Sequence, residues 1–311
     1  MQRVLSHAGL AVLVLADAAL VGYTLERHAH PPSFAAPAAV SQSNSTAQPP
    51  PAPVAITGVV AAVRADGSLL TVGTSPVCSP RSAVGPQVVQ AIAPGGGLEA
   101  GLGGDCKLGV WKSAGGSGWR PVSVPVSGTV GLAADSVWWA DSGVHVAPLS
   151  GAARTATNPC VASAMPVKFV VPSSATTAAL VCAGAPSAKG QARLVYSTRD
   201  GGKTWSQPSG AYTAGVPGRV DGLDSTGSLV SVASLGGTSV GALLAGAGCP
   251  GLQLRTSTDL GANWTVAGCL PADVPASAVL AGGSGRTYAA AVVSGAVTAW
   301  QLTSGHWTAV A

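Results

Sequence analysis

The stretch STRDGGKTW, Ser197–Trp205, places a polar, glycine-rich turn in front of a tryptophan, and TSTDLGANW, Thr256–Trp264, does nearly the same. Aligned on the tryptophan, both follow the pattern Ser/Thr-x-Asp-x-Gly-x-x-Trp. The pattern residues are Thr198, Asp200, Gly202 and Trp205 in the first copy, and Ser257, Asp259, Gly261 and Trp264 in the second. In a sharp β-hairpin turn the carboxylate and hydroxyl accept from free backbone N–H groups, and glycine supplies the positive φ. The repeat therefore predicts two equivalent hairpin turns.

The chain around these turns alternates short β-favouring runs with turn residues, as in VAITGVVAAV, KFVVP, RLVYS and LQLRTS. Asp66-Gly67 is a strong hairpin turn between two such runs. No stretch between the runs is long and amphipathic enough for the crossover helix of a parallel sheet. The sequence predicts an antiparallel all-β protein.

The two copies resemble Asp boxes, the bacterial-neuraminidase (BNR) repeats of sialidase-like β-propellers. Weaker copies end at Trp119 (KSAGGSGW) and Trp307 (TSGHW). The resemblance implies that each box joins the third and fourth strands of a four-stranded blade, packs its tryptophan between neighbouring sheets and lies away from the ligand pocket. It also implies that Asp200 and Asp259 stabilise turns and hold no metal ion.

The tryptophan spacing supports a propeller. Trp119 and Trp205 are 86 residues apart, twice 43, and Trp264 and Trp307 are 43 apart, within the usual length of a blade. The 59 residues between Trp205 and Trp264 predict an insertion of about 16 in that blade. Extended to the whole domain, the period predicts six blades over residues 54–311, or seven if the N-terminal strands fold more tightly.

The N-terminus predicts export. Val4–Leu25 is a 22-residue apolar run behind Arg3, long enough to cross a bilayer. Residues 1–27 are therefore expected to be a signal anchor with the rest of the chain outside the cytoplasm. A cleaved signal peptide, with a small-residue site near Ala16–Ala18, is the alternative, and it would make the protein secreted. Residues 28–53 are rich in Pro, Ala and Ser and predict a semi-extended linker.

The six cysteines suggest three disulfides in an exported protein. Fifteen pairings are possible, and the short separations favour sequential couples: Cys78 with Cys106, Cys160 with Cys182, and Cys249 with Cys269. A zinc site is the alternative, but the sequence has no C-x-x-C and no histidine close to the cysteines. We expect no metal and no cofactor.

Charged residues make up only 9% of the chain, and its 16 basic residues are scattered singly. This distribution lacks the basic stripe of a nucleic-acid-binding protein, so we expect no nucleic-acid partner.

The residues that a sialidase needs are mostly missing. The exported part has a single glutamate, Glu99, in the glycine-rich GGGLEAGLGG, which reads as a flexible loop and a poor place to hold a base. RVDGLD offers Asp221 and Asp224 as a carboxylate pair, although an Asp-Gly turn explains it as well. No Ser-His-Asp arrangement is evident. The sequence does not favour an enzyme.

Four residues are candidate ligand contacts. Trp138 and Trp139 lie on opposite faces of one predicted strand, so one of them could be an exposed anchor for a sugar ring or a protein. Arg286 and Tyr288 are two residues apart on one strand face, although an ordinary hairpin strand explains them too.

The sequence predicts a membrane-tethered, disulfide-stapled, extracytoplasmic β-propeller of bacterial type that acts as a non-catalytic protein-binding or assembly module. The alternative is a cell-surface glycan-binding protein or a divergent sialidase-like glycoside hydrolase.

Overall fold

The computed structural model describes residues 56–75, 77–78, 80, 85–114, 118–218 and 221–310. They lie within a compact unit that runs from Pro53 to Ala311. The predicted anchor (1–27) and linker (28–53) lie outside the described residues. Within the described part, no helix has the length and apolarity needed to span a membrane.

The described residues form 22 strands and one short 3-10 helix, Pro159–Ser163. The strands are β1 (Gly58–Val63), β2 (Leu69–Thr74), β3 (Val88–Ile92), β4 (Leu98–Leu102), β5 (Leu108–Ser113), β6 (Trp119–Val122), β7 (Thr129–Ala133), β8 (Ser136–Ala140), β9 (Val144–Pro148), β10 (Arg154–Ala156), β11 (Val167–Pro172), β12 (Ala178–Ala183), β13 (Arg193–Thr198), β14 (Ser209–Ala211), β15 (Ser228–Gly236), β16 (Ser239–Ala245), β17 (Leu252–Ser257), β18 (Thr265–Cys269), β19 (Val279–Gly283), β20 (Arg286–Val293), β21 (Ala296–Thr303) and β22 (His306–Val310).

Each sheet is an antiparallel meander of consecutive strands. The sheets are β1–β2, β3–β6, β7–β10, β11–β14, β15–β18 and β19–β22. The first strand of every sheet, namely β1, β3, β7, β11, β15 and β19, lines one central channel. Short meandering sheets arranged radially about a channel form a β-propeller, so the all-β propeller prediction is confirmed.

The predicted number of blades is wrong. Among the described residues there are five four-stranded blades, and a two-stranded hairpin, β1–β2, stands where a sixth blade was expected. Extending the 43-residue period toward the N-terminus assumed a complete blade there. Instead, the chain leaves the sheet after β2, and the disulfide of Cys78 ties it to Cys106 in the turn after β4.

The alternation of strand direction gives the ring two faces. All first strands run in the same direction, so the connections between sheets and the turns between second and third strands lie at one end of the strands. We call this end the crossover face. The other two turns of each sheet, including those at Trp205 and Trp264, lie at the opposite end, which we call the hairpin face.

The core consists of apolar layers between neighbouring sheets. One layer joins Val181 and Val195 of the β11–β14 sheet to Leu244 and Trp264 of the β15–β18 sheet. The β1–β2 hairpin closes the ring, because its Val59 packs against Ala290 and its Ala62 against Val89. Each sheet is therefore covered on both sides by its neighbours.

The structure contains the three expected disulfides, Cys78–Cys106, Cys160–Cys182 and Cys249–Cys269. All three lie at the crossover face. Each of the six cysteines lies near or after the end of the second or fourth strand of its sheet, and these strands all end at that face. The connection after β14, residues 212–227, is 16 residues long, against 6 to 10 for the connections after β6, β10 and β18, and so accounts for part of the predicted insertion.

Removing the buried Cys160–Cys182 bond should destabilise the fold. The bond closes a 22-residue separation, which corresponds to about 3 kcal/mol in the chain-entropy model. We expect the double variant Cys160→Ser/Cys182→Ser to unfold at lower denaturant concentration than the wild type under non-reducing conditions. A reductant should lower the midpoint of the wild type more than that of the variant. Equal midpoints for the two oxidised proteins would contradict a stabilising bond.

Candidate functional site

The first repeated turn is held by its own side chains. The Thr198 hydroxyl accepts from the Gly202 N–H at 2.9 Å and donates to Asp200 Oδ1 at 2.8 Å. Asp200 also accepts from the N–H of Thr204 at 3.0 Å and from its hydroxyl at 2.6 Å. These bonds, with those from Thr204 the strongest, lower the pKa of Asp200 to about 2.

The second turn repeats this geometry. The Ser257 hydroxyl accepts from the Gly261 N–H at 2.8 Å and donates to Asp259 at 2.7 Å, and Asp259 accepts from the Asn263 N–H at 2.9 Å. Gly202 and Gly261 have φ values of 84° and 89°, the left-handed conformation that glycine adopts without strain. The polar atoms of both turns are thus engaged within the turns.

The two turn tryptophans connect neighbouring parts of the ring. The indole N–H of Trp205 donates to the carbonyl oxygen of Thr157, which follows the last strand of the preceding sheet, at 3.0 Å. Trp264 is buried in the apolar layer between the β11–β14 and β15–β18 sheets, and its indole N–H donates to the carbonyl oxygen of Gly261 at 2.8 Å. These residues therefore fix blade packing at the hairpin face.

Trp138 and Trp139 are not surface residues. Their exposed fractions are 0% and 3%, although they do lie on opposite faces of β8 as expected. Trp138 donates to the carbonyl oxygen of Ser174 at 2.9 Å, and Trp139 stacks on His145 with ring centroids 4.8 Å apart. The expected exposed anchor is absent from this strand because packing covers both faces of the sheet.

Arg286 and Tyr288 lie on one face of β20, as expected, and the Arg286 guanidinium donates to the Tyr288 hydroxyl at 3.3 Å. The Tyr288 phenol is buried and donates to the carbonyl oxygen of Gly67, in the β1–β2 turn, at 3.0 Å. Tyr288 therefore joins the last blade to the first hairpin, whereas Arg286 stays exposed beside that turn.

In the RVDGLD stretch, the carboxylate of Asp224 is engaged by an arginine of the next blade. Asp224 forms an ion pair with Arg255 at 2.9 Å. The fully buried Arg193 donates to the carbonyl oxygens of Asp224 and Thr226, which belong to the long connection after β14. Burial lowers the pKa of Arg193 to about 10, and the nearby Asp224 opposes this effect. Arg193 fastens that connection to the blade, a role that the sequence did not indicate.

A second polar network, also missed in the sequence, surrounds His145. Its Nε2 lies 2.9 Å from Asp141 Oδ1 and its Nδ1 lies 3.0 Å from the Thr155 hydroxyl, while the Ser127 hydroxyl donates to Asp141 at 2.5 Å. A backbone hydrogen bond from Gly143, followed by those of Ser127 and His145, lowers the pKa of Asp141. The network connects the β8–β9 turn to β10 and, through Ser127, to the connection between β6 and β7. Only the pairing of β9 with β10 brings Thr155 opposite His145.

Glu99 does not lie in a flexible loop. It belongs to β4, between the partners Ile92 and Trp111, and is only 7% exposed. Burial raises the pKa of its carboxyl group. The glycines around it allow close strand packing: a side chain on Gly101 would meet the carbonyl oxygen of Val88 at 2.1 Å.

The central channel has a volume of about 240 Å³ and a neutral lining. Small and branched apolar residues from all six first strands predominate. Among the described lining residues the polar side chains are Gln90, Thr129, Ser231 and Ser234, and none is ionisable. The part of the channel lining that the structure describes is therefore neutral and mainly apolar.

The crossover face carries most of the exposed large apolar side chains. Six are exposed in the described part of the chain, and five of them lie on segments that lead into a first strand: Ile56, Val77, Val161, Tyr212 and Val216. The sixth, Val266, lies on the outer strand β18. Tyr212 is 57% exposed and stands next to Ala211, the end of β14.

No protein-family model matches the sequence, and no curated protein matches it significantly. Among solved structures, YCF48 bound to D1 peptide is similar at 15% identity with a TM-score of 0.38, over 61% of this chain and 57% of that one. A variant of the AtxE2 isopeptidase with Astexin3-dC4 bound is similar at 14% identity with a TM-score of 0.28, over 71% of this chain and 40% of that one. The chain thus matches little more than half the length of the first and less than half of the second.

The pKa of Asp200 predicts a pH dependence of stability. Because hydrogen bonding depresses this pKa in the folded state, the carboxylate stabilises the fold above pH 3.8, and this contribution is lost as the pH falls toward 2. We expect Asp200→Asn to lower Tm at pH 7, and the difference from wild type to shrink between about pH 4 and pH 2. Asp273→Asn, which alters an exposed carboxylate between β18 and β19, is the matched control. The same Tm difference at pH 7 and pH 2 would show that Asp200 acts by something other than its charge.

Proposed function

We propose that this protein is a membrane-tethered, extracytoplasmic β-propeller that acts as a non-catalytic protein-binding or assembly module through its crossover face. The observation that carries the proposal is the collection of exposed apolar side chains on this face. Apolar side chains that stay exposed on one face can anchor a protein partner, and tyrosine is enriched among the residues that dominate binding energy.

The crossover face has the rigidity that a binding surface needs. The three disulfides join its loops to one another or to strand ends, and Arg193 fastens the connection that carries Tyr212 and Val216. The Ser225 hydroxyl donates to the carbonyl oxygen of Val216 at 3.0 Å and so closes this connection on itself. Loops that are already ordered lose less conformational entropy on binding.

The proposed location rests on two further features. Three disulfides are typical of proteins outside the cytoplasm. The apolar run Val4–Leu25 has the length of a membrane anchor. We also infer that the two repeated turns are Asp boxes, because their Ser/Thr, Asp and Gly residues form the same hydrogen bonds in both copies. The alternative is glycan binding or sialidase-like hydrolysis. Trp138 and Trp139 do not support it as exposed sugar contacts, because both are buried.

Photo-crosslinking tests the binding face. A photoreactive phenylalanine analogue placed at Tyr212 or Val161 of the full-length protein should give a discrete protein adduct in native membranes. The same analogue at Lys203 or Arg199, in the exposed turn at the hairpin face, should not. Adducts that form equally from both faces, or from neither, would refute the proposed interface.

We expect Tyr212→Ser to weaken binding of the partner identified in this way by about tenfold or more, since tyrosine is enriched among the few interface residues whose truncation costs about 1.4 kcal/mol or more. The affinity is measured with the purified full-length protein. Because the side chain is exposed, Tm should stay near that of the wild type. The exposed Thr308→Ser of β22 is the matched control. Unchanged affinity would exclude Tyr212 from the interface.

Deleting residues 1–30 should release the propeller from the membrane fraction, because the deletion removes the predicted anchor. The measurement is fractionation of cells that express the full-length or the shortened chain. Continued membrane association of the shortened chain would refute the tether.

A further inference from the structure

The β1–β2 hairpin has the position of a blade but only two strands. Its inner strand β1 lines the channel, and β2 pairs with β1 over six residues. In the part of the chain that the structure describes, no strand pairs with the far edge of β2. A complete blade in this protein has two more strands on that side. Among the described residues, the position of a third strand beside β2 is therefore unoccupied.

The register identifies the backbone groups at this edge. The N–H of Arg64 donates to the carbonyl oxygen of Ser68 at 2.8 Å, which marks these two as a hydrogen-bonded pair. In an antiparallel ladder such pairs alternate, so Leu70 and Val72 direct their backbone groups toward β1. The backbone N–H and C=O groups of Leu69, Thr71 and Gly73 therefore point toward the open edge, where they can pair with another strand.

β2 lacks the protection that most outer strands of the complete blades show. Its sequence, LLTVGT, contains no charged residue and no proline. In contrast, β6 contains Arg120 and Pro121, and β10 and β14 have only three residues each. Charges, proline and short length are the usual devices that keep an edge from pairing with another chain.

The flanking blades provide apolar walls for an added strand. Leu69 packs with the cluster that includes Val292, Val297 and Val310 of the last blade. On the opposite side, Leu70 and Val72 pack with the cluster of Val89 and Ile92. All residues of β2 except Gly73 are at least half-buried. A strand beside β2 would lie between two blades and could bury side chains on both of its faces.

The β1–β2 turn adds a charge preference. Arg64 donates to the Ser68 hydroxyl, and Arg286 lies so close to Gly67 that a side chain there would meet its Nε at 2.9 Å. The carboxylate of Asp66 accepts from the N–H and hydroxyl of Ser68. Two guanidinium groups thus stand beside one carboxylate at the start of β2. A strand antiparallel to β2 would reach this turn with its C-terminal end.

We propose that the open edge of β2 binds an extended segment of a partner protein as a third strand, antiparallel to β2. The segment has about six uncharged residues of β-favouring type and an acidic residue or chain-terminal carboxylate at its C-terminal end, opposite Arg64 and Arg286. This proposal rests on the proposed protein-binding function and adds a second binding surface, with its own partner chemistry, to the crossover face. Main-chain hydrogen bonds provide the affinity, and the two apolar walls and the guanidinium groups provide the selectivity.

The experiment selects a displayed library of random decapeptides against the full-length protein in detergent. Affinities of the enriched peptides are then measured for the wild type, Thr71→Pro and the matched control Thr71→Val. Proline removes the outward N–H, whereas valine keeps it. We expect Thr71→Pro to weaken binding about tenfold and Thr71→Val to change it little. Arg286→Glu should weaken peptides that end in an acidic residue.

Amide hydrogen exchange on the wild type provides a measurement that does not depend on how the proline variant folds. Bound peptide should slow exchange at Leu69, Thr71 and Gly73.

If enriched peptides bind both Thr71 variants equally and protect other amides, peptide binding stands and the edge proposal is refuted. If no peptide is enriched, the edge proposal is refuted, whereas the crossover-face proposal stands or falls with the crosslinking at Tyr212 and Val161. If the three amides are protected in the free protein and become exposed on deletion of residues 1–55, the protein's own N-terminal segment occupies the edge, which also refutes the partner proposal.

Discussion

The constraint on which this structure depends is that a blade cannot bury its own faces. The second strands of the blades show it most clearly: every residue of β8 (SVWWA) and of β12 (AALVCA) is buried, so both sheet surfaces need apolar cover from neighbouring sheets. Stacking the sheets radially about a channel satisfies this requirement for every sheet if the ring closes. The β1–β2 hairpin closes the ring. Tyr288 and Ser284 of the last blade donate hydrogen bonds to the carbonyl oxygens of Gly67 and Ala65 in this hairpin, which are more than 200 residues away in sequence.

The few polar side chains are used mainly to hold loops against this apolar frame. Asp200 and Asp259 order two turns at the hairpin face, and Arg193 secures the long connection at the crossover face. The His145 network connects a turn to an outer strand in the same way. Charged residues make up only 9% of the chain, and those named here hold loops in place. In the described part, the channel is lined by neutral groups.

The two faces of the ring consequently differ in character. The hairpin face carries two turns, at Thr198 and Ser257, that satisfy their own hydrogen bonds in the same way. The crossover face carries connections of unequal length, all three disulfides and the exposed Val161, Tyr212 and Val216. Variable loops on a rigid scaffold are where binding surfaces usually arise. The incomplete first blade adds a second kind of surface, the outer backbone edge of β2. This edge belongs to the hairpin that closes the ring.

The sequence alone determined whatever depends on local chemistry. The Thr198–Trp205 and Ser257–Trp264 turns, the antiparallel strands, the sequential disulfides and the insertion after β14 all follow from residues close together in the chain, whose conformational preferences act wherever they are placed. What depends on distant packing was decided only by the tertiary structure. The burial of Trp138 and Trp139, the placement of Glu99 within β4 and the grouping of Thr155 with His145 require neighbouring strands and sheets to be in position. The number of complete blades belongs to the same class. A spacing of 43 residues measures one repeat, whereas the size of the ring is set by how many sheets can close about a common channel.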